Sequence, residues 1–140
     1  MEKLELKNLV GYLPYGLKIK IKQDFYPKLE GIGLLTTKNI YHFGFPKRQI
    51  IPFLRPLSDL TKEIEVNGEK FVPLEELNKD AITKYRIEII NSKIYLLADF
   101  NKGYNVLSRN NPKNKLLEWH FDIFNLIENN LAIDINTLNQ

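Results

Sequence analysis

The chain has no cysteine, which excludes disulfide frameworks, thiolate catalysis and every zinc site that uses sulfur. It has no glycine-rich phosphate loop, no HExxH helix and no histidine pair at ligand spacing, since its two histidines, His42 and His120, lie far apart. Serines 58, 92 and 108 sit in cap or turn contexts without a nucleophile elbow. No run approaches the roughly 18 apolar residues of a membrane span. The opening Met1-Glu-Lys-Leu-Glu-Leu-Lys7 alternates charge with leucine and lacks the continuous apolar stretch of a signal peptide. The expectation is a soluble cytoplasmic protein without cofactor. Alanine is scarce, whereas lysine, asparagine and isoleucine make up about a third of the residues, a bias that AT-rich coding explains better than function does.

What is present fits one ordinary domain. A chain of 140 residues with 44% apolar and 26% charged content can bury a core without a staple, so residues 1–140 read as a single globular domain. The net charge of +3 hides segregation: residues 1–56 carry net +6, 57–90 net −3, 91–115 net +4 and 116–140 net −4. Brought together, the basic segments would form a positive face for phosphate or an acidic protein surface; paired with the acidic blocks, they only help the domain close. The second is the commoner role.

Leu4, Leu6 and Leu9 suggest a short helix or arm ended by the turn Gly11 to Gly16. Leu17-Lys-Ile-Lys-Ile-Lys22 is the clearest strand, with Leu17, Ile19 and Ile21 on one face and Lys18, Lys20 and Lys22 on the other. The wet lysines read first as protection of an edge strand and second as a phosphate-tracking face. A second strand is expected within Gly31–Phe45, broken near residues 37–39, and a third at Ile50–Leu54, which Pro52 confines to an edge or an end. Ser58 is placed to cap a helix from Asp59 to about Val66, which Asn67-Gly68 stops and reverses, and Leu74 to about Lys79 forms a second short helix. Tyr85–Ile90 and Ile94–Phe100 form a hairpin, Tyr104–Leu107 adds a further strand, and a long helix runs from about Pro112 or Lys115 to Asn130. The predicted fold class is α+β: an antiparallel sheet of about five or six strands with two short helices and one long C-terminal amphipathic helix packed on it.

On that helix the apolar residues cover an arc of roughly 220°, too wide for one sheet face. Either the chain wraps over it, the favoured reading, or Trp119 and Phe121 anchor a homodimer or partner. His120 falls inside the arc and reads as a hydrogen-bonded core histidine. Glu118 and Asp122, one turn apart, would hold Mg²⁺ together with Asp99 in a nuclease, but solvated charge is the better reading. Lys18, Lys20, Lys22, Lys47, Arg48, Arg55, Lys102, Arg109, Lys113 and Lys115 interleave with Tyr12, Tyr15, Tyr26, Tyr41, Phe43, Tyr95 and Tyr104, as single-strand binding requires. Four arginines against sixteen lysines argue against bidentate base reading.

Three stretches resemble small uncharacterised proteins from phages and prophages of Bacteroidetes. They are Tyr12-Leu-Pro-Tyr-Gly-Leu-Lys18, Leu54-Arg-Pro-Leu-Ser-Asp-Leu-Thr-Lys-Glu-Ile64 continuing to Asn67-Gly-Glu-Lys-Phe-Val72, and Leu117-Glu-Trp-His-Phe-Asp-Ile-Phe124 with Leu131-Ala-Ile-Asp-Ile-Asn-Thr-Leu138. The resemblance brings no catalytic residues. The resemblance itself carries no function, but a phage setting and the lack of a catalytic signature set the expectation of a non-enzymatic binding protein, most concretely an inhibitor of a host defence system of the anti-CRISPR kind that engages an effector nuclease or its guide RNA complex. The rival readings are a phage nucleic-acid-binding accessory protein and, more weakly, a small metal-dependent nuclease. The acting surface is expected among Lys18, Lys20, Lys22, Tyr41, Lys47, Arg48, Arg55, Lys102, Tyr104, Arg109 and Lys113, with a host protein or ribonucleoprotein as partner and no membrane.

Overall fold

A computed structural model describes residues 3–23, 29–41, 48–79, 83–90, 93–100 and 112–139. The molecule is α+β. Its chain divides into two compact units, one built from Met1–Pro56 and Leu116–Gln140, the other from Leu57–Lys115.

The first unit is organised around β1, Lys18–Gln23, where the strict alternation of the sequence is realised. Antiparallel β2, Leu29–Leu34, pairs along one side of it and antiparallel β3, Arg48–Leu54, along the other. The two-residue β8, Ile133–Asp134, joins β3 in parallel, so the sheet has the order β2-β1-β3-β8 and is mixed, where pure antiparallel pairing was expected. Leu17 and Ile19 are fully buried and pack with Tyr12, Ile50, Leu54 and Leu126 into the core. Each such aliphatic side chain contributes about 1.5–3 kcal/mol by leaving water. The short helix α1, Lys7–Val10, lays Leu9 on this core, and Gly11 passes so close to Leu117 that a Cβ there would sit 3.1 Å from its side chain.

After β2 the expected strand continuation is replaced by a helical turn, α2, Thr37–Tyr41. Thr36 and Asn39 start it reciprocally: the Thr36 N–H donates to Asn39 Oδ1 at 2.8 Å and the Asn39 N–H donates to Thr36 Oγ1 at 3.3 Å. That is a capping box with asparagine in the place usually taken by glutamate.

The second unit opens on a 3₁₀ turn, Leu57–Thr61, that buries Asp59 and Leu60. The expected helix over 59–66 gives way there to β4, Ile64–Val66, which pairs with β5, Glu69–Phe71. Asn67 at φ 52° and Gly68 at φ 84° supply the two positive dihedrals of a two-residue hairpin loop, so this dipeptide reverses a strand and does not end a helix. Pro73 then opens α3, Pro73–Leu77. The expected hairpin is present as β6, Thr83–Ile90, and β7, Lys93–Phe100, in continuous register from Thr83 opposite Phe100 to Ile90 opposite Lys93. Its turn at residues 91–92 and the expected strand at 104–107 lie outside the described residues. Among the described residues no helix is long and apolar enough to cross a membrane.

The long C-terminal helix is not formed. Helix α4, Pro112–Glu118, stops after two turns in a Schellman motif: the His120 N–H donates to the Leu117 carbonyl at 3.1 Å, the Phe121 N–H to the Leu116 carbonyl at 2.8 Å, and His120 takes φ 63°. Asn125 at φ 57° and Asn130 at φ 60° turn the chain twice more. Asparagine is among the few residues that enter this region cheaply, and the aromatic and β-branched residues of the segment are weak helix formers. Tertiary pairing completes the diversion: the Arg55 N–H donates to the His120 carbonyl at 2.7 Å and the Asp122 N–H to the Arg55 carbonyl at 2.8 Å. The wide apolar arc is thereby absorbed. Trp119 and Phe121 are buried and offer no exposed anchor for a homodimer.

Candidate binding face

The face of β1 opposite the core carries Lys18, Lys20 and Lys22, and the register decides what surrounds them. Across β2 they stand opposite Leu34, Ile32 and Glu30; across β3, Lys20 faces Ile51 and Lys22 faces Gln49. Because β1 is paired on both sides, its lysines protect no edge, which corrects the first reading of the pattern. Ile32 is 60% exposed and Leu34 56% exposed, so the surface alternates ammonium groups with aliphatic side chains. Lys20 leans toward β2 and meets Glu30 at 3.1 Å, which holds that carboxyl below the ordinary carboxylate range. Lys18 and Lys22 make no ion pair among the described residues. Phe53, further along β3, is buried.

Arg55, also expected in the acting surface, is half-buried and engaged internally. Its Nε–H donates to the Trp119 carbonyl at 3.3 Å, and its guanidinium carbon lies 5.8 Å from the centroid of the Phe121 ring. It binds the C-terminal segment. Tyr41 closes α2, Arg48 opens β3 and Lys113 lies in α4, whereas Lys47, Lys102, Tyr104 and Arg109 fall outside the described residues. Ile32, Leu34 and Glu30 were not among the expected site residues. The alternation Leu29-Glu30-Gly31-Ile32-Gly33-Leu34 carries the signal, since period two sets these three on one face with glycines on the other.

Two of the groups weighed for catalysis, Asp122 and His120, are tied into the structure. Asp122, expected in a solvated stripe, is buried, and its two oxygens accept the N–H groups of Leu126 at 2.8 Å and Ile127 at 2.9 Å. His120 donates from Nε2 to the Tyr15 carbonyl at 2.6 Å. Burial pulls its pKa below the ordinary value, the Tyr15 bond opposes this, and the positive charges of Arg55 and Lys18 reinforce it. The Tyr12 hydroxyl, pushed well above the ordinary range by burial, donates to the Phe121 carbonyl. Among the described residues no three His, Asp or Glu side chains lie together as metal ligands would. His42 is outside them, and the side chain of Asp99 is not described. No protein-family model, no curated protein and no solved structure matches this chain.

Proposed function

We propose that this is a non-catalytic binding protein that presents the face of β1 and β2 to an acidic partner, in its most concrete form a phage-type inhibitor of a host defence complex such as a CRISPR effector nuclease with its guide RNA. The observation that carries the reading is the lysine ladder: three ammonium groups spaced along an internal strand, interleaved with the exposed Ile32 and Leu34. Such a surface draws an acidic partner by charge and holds it by aliphatic burial. The resemblance to phage proteins supports the defence setting. A protein surface suits this face better than a bare oligonucleotide does, because Glu30, Ile32, Leu34, Gln49 and Ile51 provide no aromatic platform for a base.

The test compares the native chain with the double variant Lys18→Glu/Lys22→Glu, each tagged and exposed to lysate of a CRISPR-bearing host. The native chain is expected to retain an effector protein or its RNA complex and to suppress target cleavage, and the variant to do neither. Retention of a free unstructured oligonucleotide, with affinity falling steeply as salt rises, would instead make the protein a nucleic-acid-binding accessory factor. Cleavage of nucleic acid on addition of Mg²⁺ or Mn²⁺ would make it a nuclease.

A further inference from the structure

β2 is an edge strand, and its geometry specifies more than a charged face. Among the described residues it pairs only with β1. The Leu35 N–H donates to the Leu17 carbonyl at 2.8 Å, which makes the opposed residues 17 and 35 a hydrogen-bonded pair. Antiparallel ladders alternate, so Gly33 with Ile19 and Gly31 with Ile21 are hydrogen-bonded pairs too. Glu30, Ile32 and Leu34 therefore turn their N–H and C=O groups away from β1, toward the open edge.

Those same three residues point their side chains onto the lysine face. An antiparallel strand added at the edge would bond to their backbone and set its own facing side chains on the lysine side of the sheet, about 10 Å from β1 at two strand spacings. That is close to the screening length at physiological salt and within reach of side chains that lean that way, as Lys20 already does toward Glu30. Lys18 and Lys22 form no ion pair among the described residues. On the other side of β2, Gly31 and Gly33 have no Cβ, and nothing lies within 4 Å of where one would be. An incoming large apolar side chain opposite either glycine fills that space. Of the usual blocks, β2 has no proline, no lysine and no break in its register, and its one charged side chain, Glu30, is already paired with Lys20.

We infer that the protein captures its partner by strand addition, the partner supplying an extended segment that alternates acidic residues on the lysine side with large apolar residues on the glycine side, bonded antiparallel to Glu30, Ile32 and Leu34. The inference rests on the reading of the lysine face as a protein-binding surface. Backbone bonds give such a complex its affinity, and the two-sided alternation gives its selectivity.

The probe is the synthetic peptide acetyl-Glu-Phe-Glu-Val-Glu-Phe-Glu-amide, with the same peptide carrying lysine for glutamate as control. The full chain is expected to bind the acidic peptide and not the basic one. Binding should slow amide hydrogen exchange at Glu30, Ile32 and Leu34, while Gly31 and Gly33, already bonded to β1, change little. Ile32→Pro removes one outward donor and leaves the β1 ladder intact, and it should weaken binding by about tenfold or more. Trp119 emission in that variant reports whether the first unit remains folded, and the exchange measurement on the native chain needs no variant at all. Failure of the acidic peptide to bind, or binding without added protection in β2, overturns strand addition. A partner lost in Lys18→Glu/Lys22→Glu but kept in folded Ile32→Pro also overturns it, while leaving the binding face standing. A partner indifferent to all three substitutions overturns both.

Discussion

Two side chains tie the C-terminal segment to the start of the chain, and each makes a measurable difference. Tyr12 is fully buried with its hydroxyl on the Phe121 carbonyl, so Tyr12→Phe leaves that carbonyl buried without its donor. We expect the variant to fold and to lose about 1–2 kcal/mol in urea denaturation. His120 offers a pH test. Its folded pKa lies below the ordinary 6.5, so the unfolded chain takes up the proton more readily. Its contribution is fully present above that value and is lost as pH falls through it toward the folded pKa. The native chain should therefore lose Tm between pH 7.5 and 5.5, and His120→Asn, which tolerates the same positive φ, should flatten that fall. Equal slopes in thermal melts of the two chains would show that His120 does not titrate against the fold.

At the scale of elements, the C-terminal segment shows where sequence reading succeeds and where it stops. The alternation in Leu17–Lys22 and in the two arms of the 83–100 hairpin is a local property, and both became strands close to their expected bounds. Residues 115–130 have helical apolar spacing as well, yet α4 ends at Glu118, because the His120 carbonyl and the Asp122 N–H are taken by Arg55, more than sixty residues earlier in sequence. No window along the sequence contains that competition. The lysine face was half legible: period two gave its residues, but only the pairing of β1 with both β2 and β3 turned an edge device into an exposed central surface. The capping box at Thr36 and Asn39 was legible in principle and obscured by the strand-like apolar residues around it. Asp122 holds the irregular segment through two charge-assisted bonds in a buried site. Asp122→Ala should cost about 2–4 kcal/mol and Asp122→Asn, which keeps one acceptor oxygen, roughly half of that, by chemical denaturation. A loss below about 0.5 kcal/mol in Asp122→Ala would place the origin of this turn elsewhere.

For the molecule as a whole, the chain's two ends build one unit while its middle builds the other. The first unit draws Leu9, Tyr12, Leu17 and Ile19 from the N-terminal part and Leu117, Leu126 and Ala132 from the C-terminal part into the same core, and β3 takes β8 as its outer partner. Residues 1–56 alone therefore hold a sheet whose core is open where the C-terminal segment would lie. Large aliphatic side chains left uncovered in this way forgo a few kcal/mol each, comparable to the entire stability of a small domain. A chain ended after Lys115 is expected to lose the first unit's cooperative unfolding. Amide exchange in β1 reports this directly: Ile19 and Ile21, bonded to β2 in the full chain, should exchange at least about a hundredfold faster in the truncated one, since about 2.7 kcal/mol of lost local stability suffices for that factor. Protection of β1 that survived truncation would mean that the N-terminal half closes its own core, and the binding face could then be studied on that half alone.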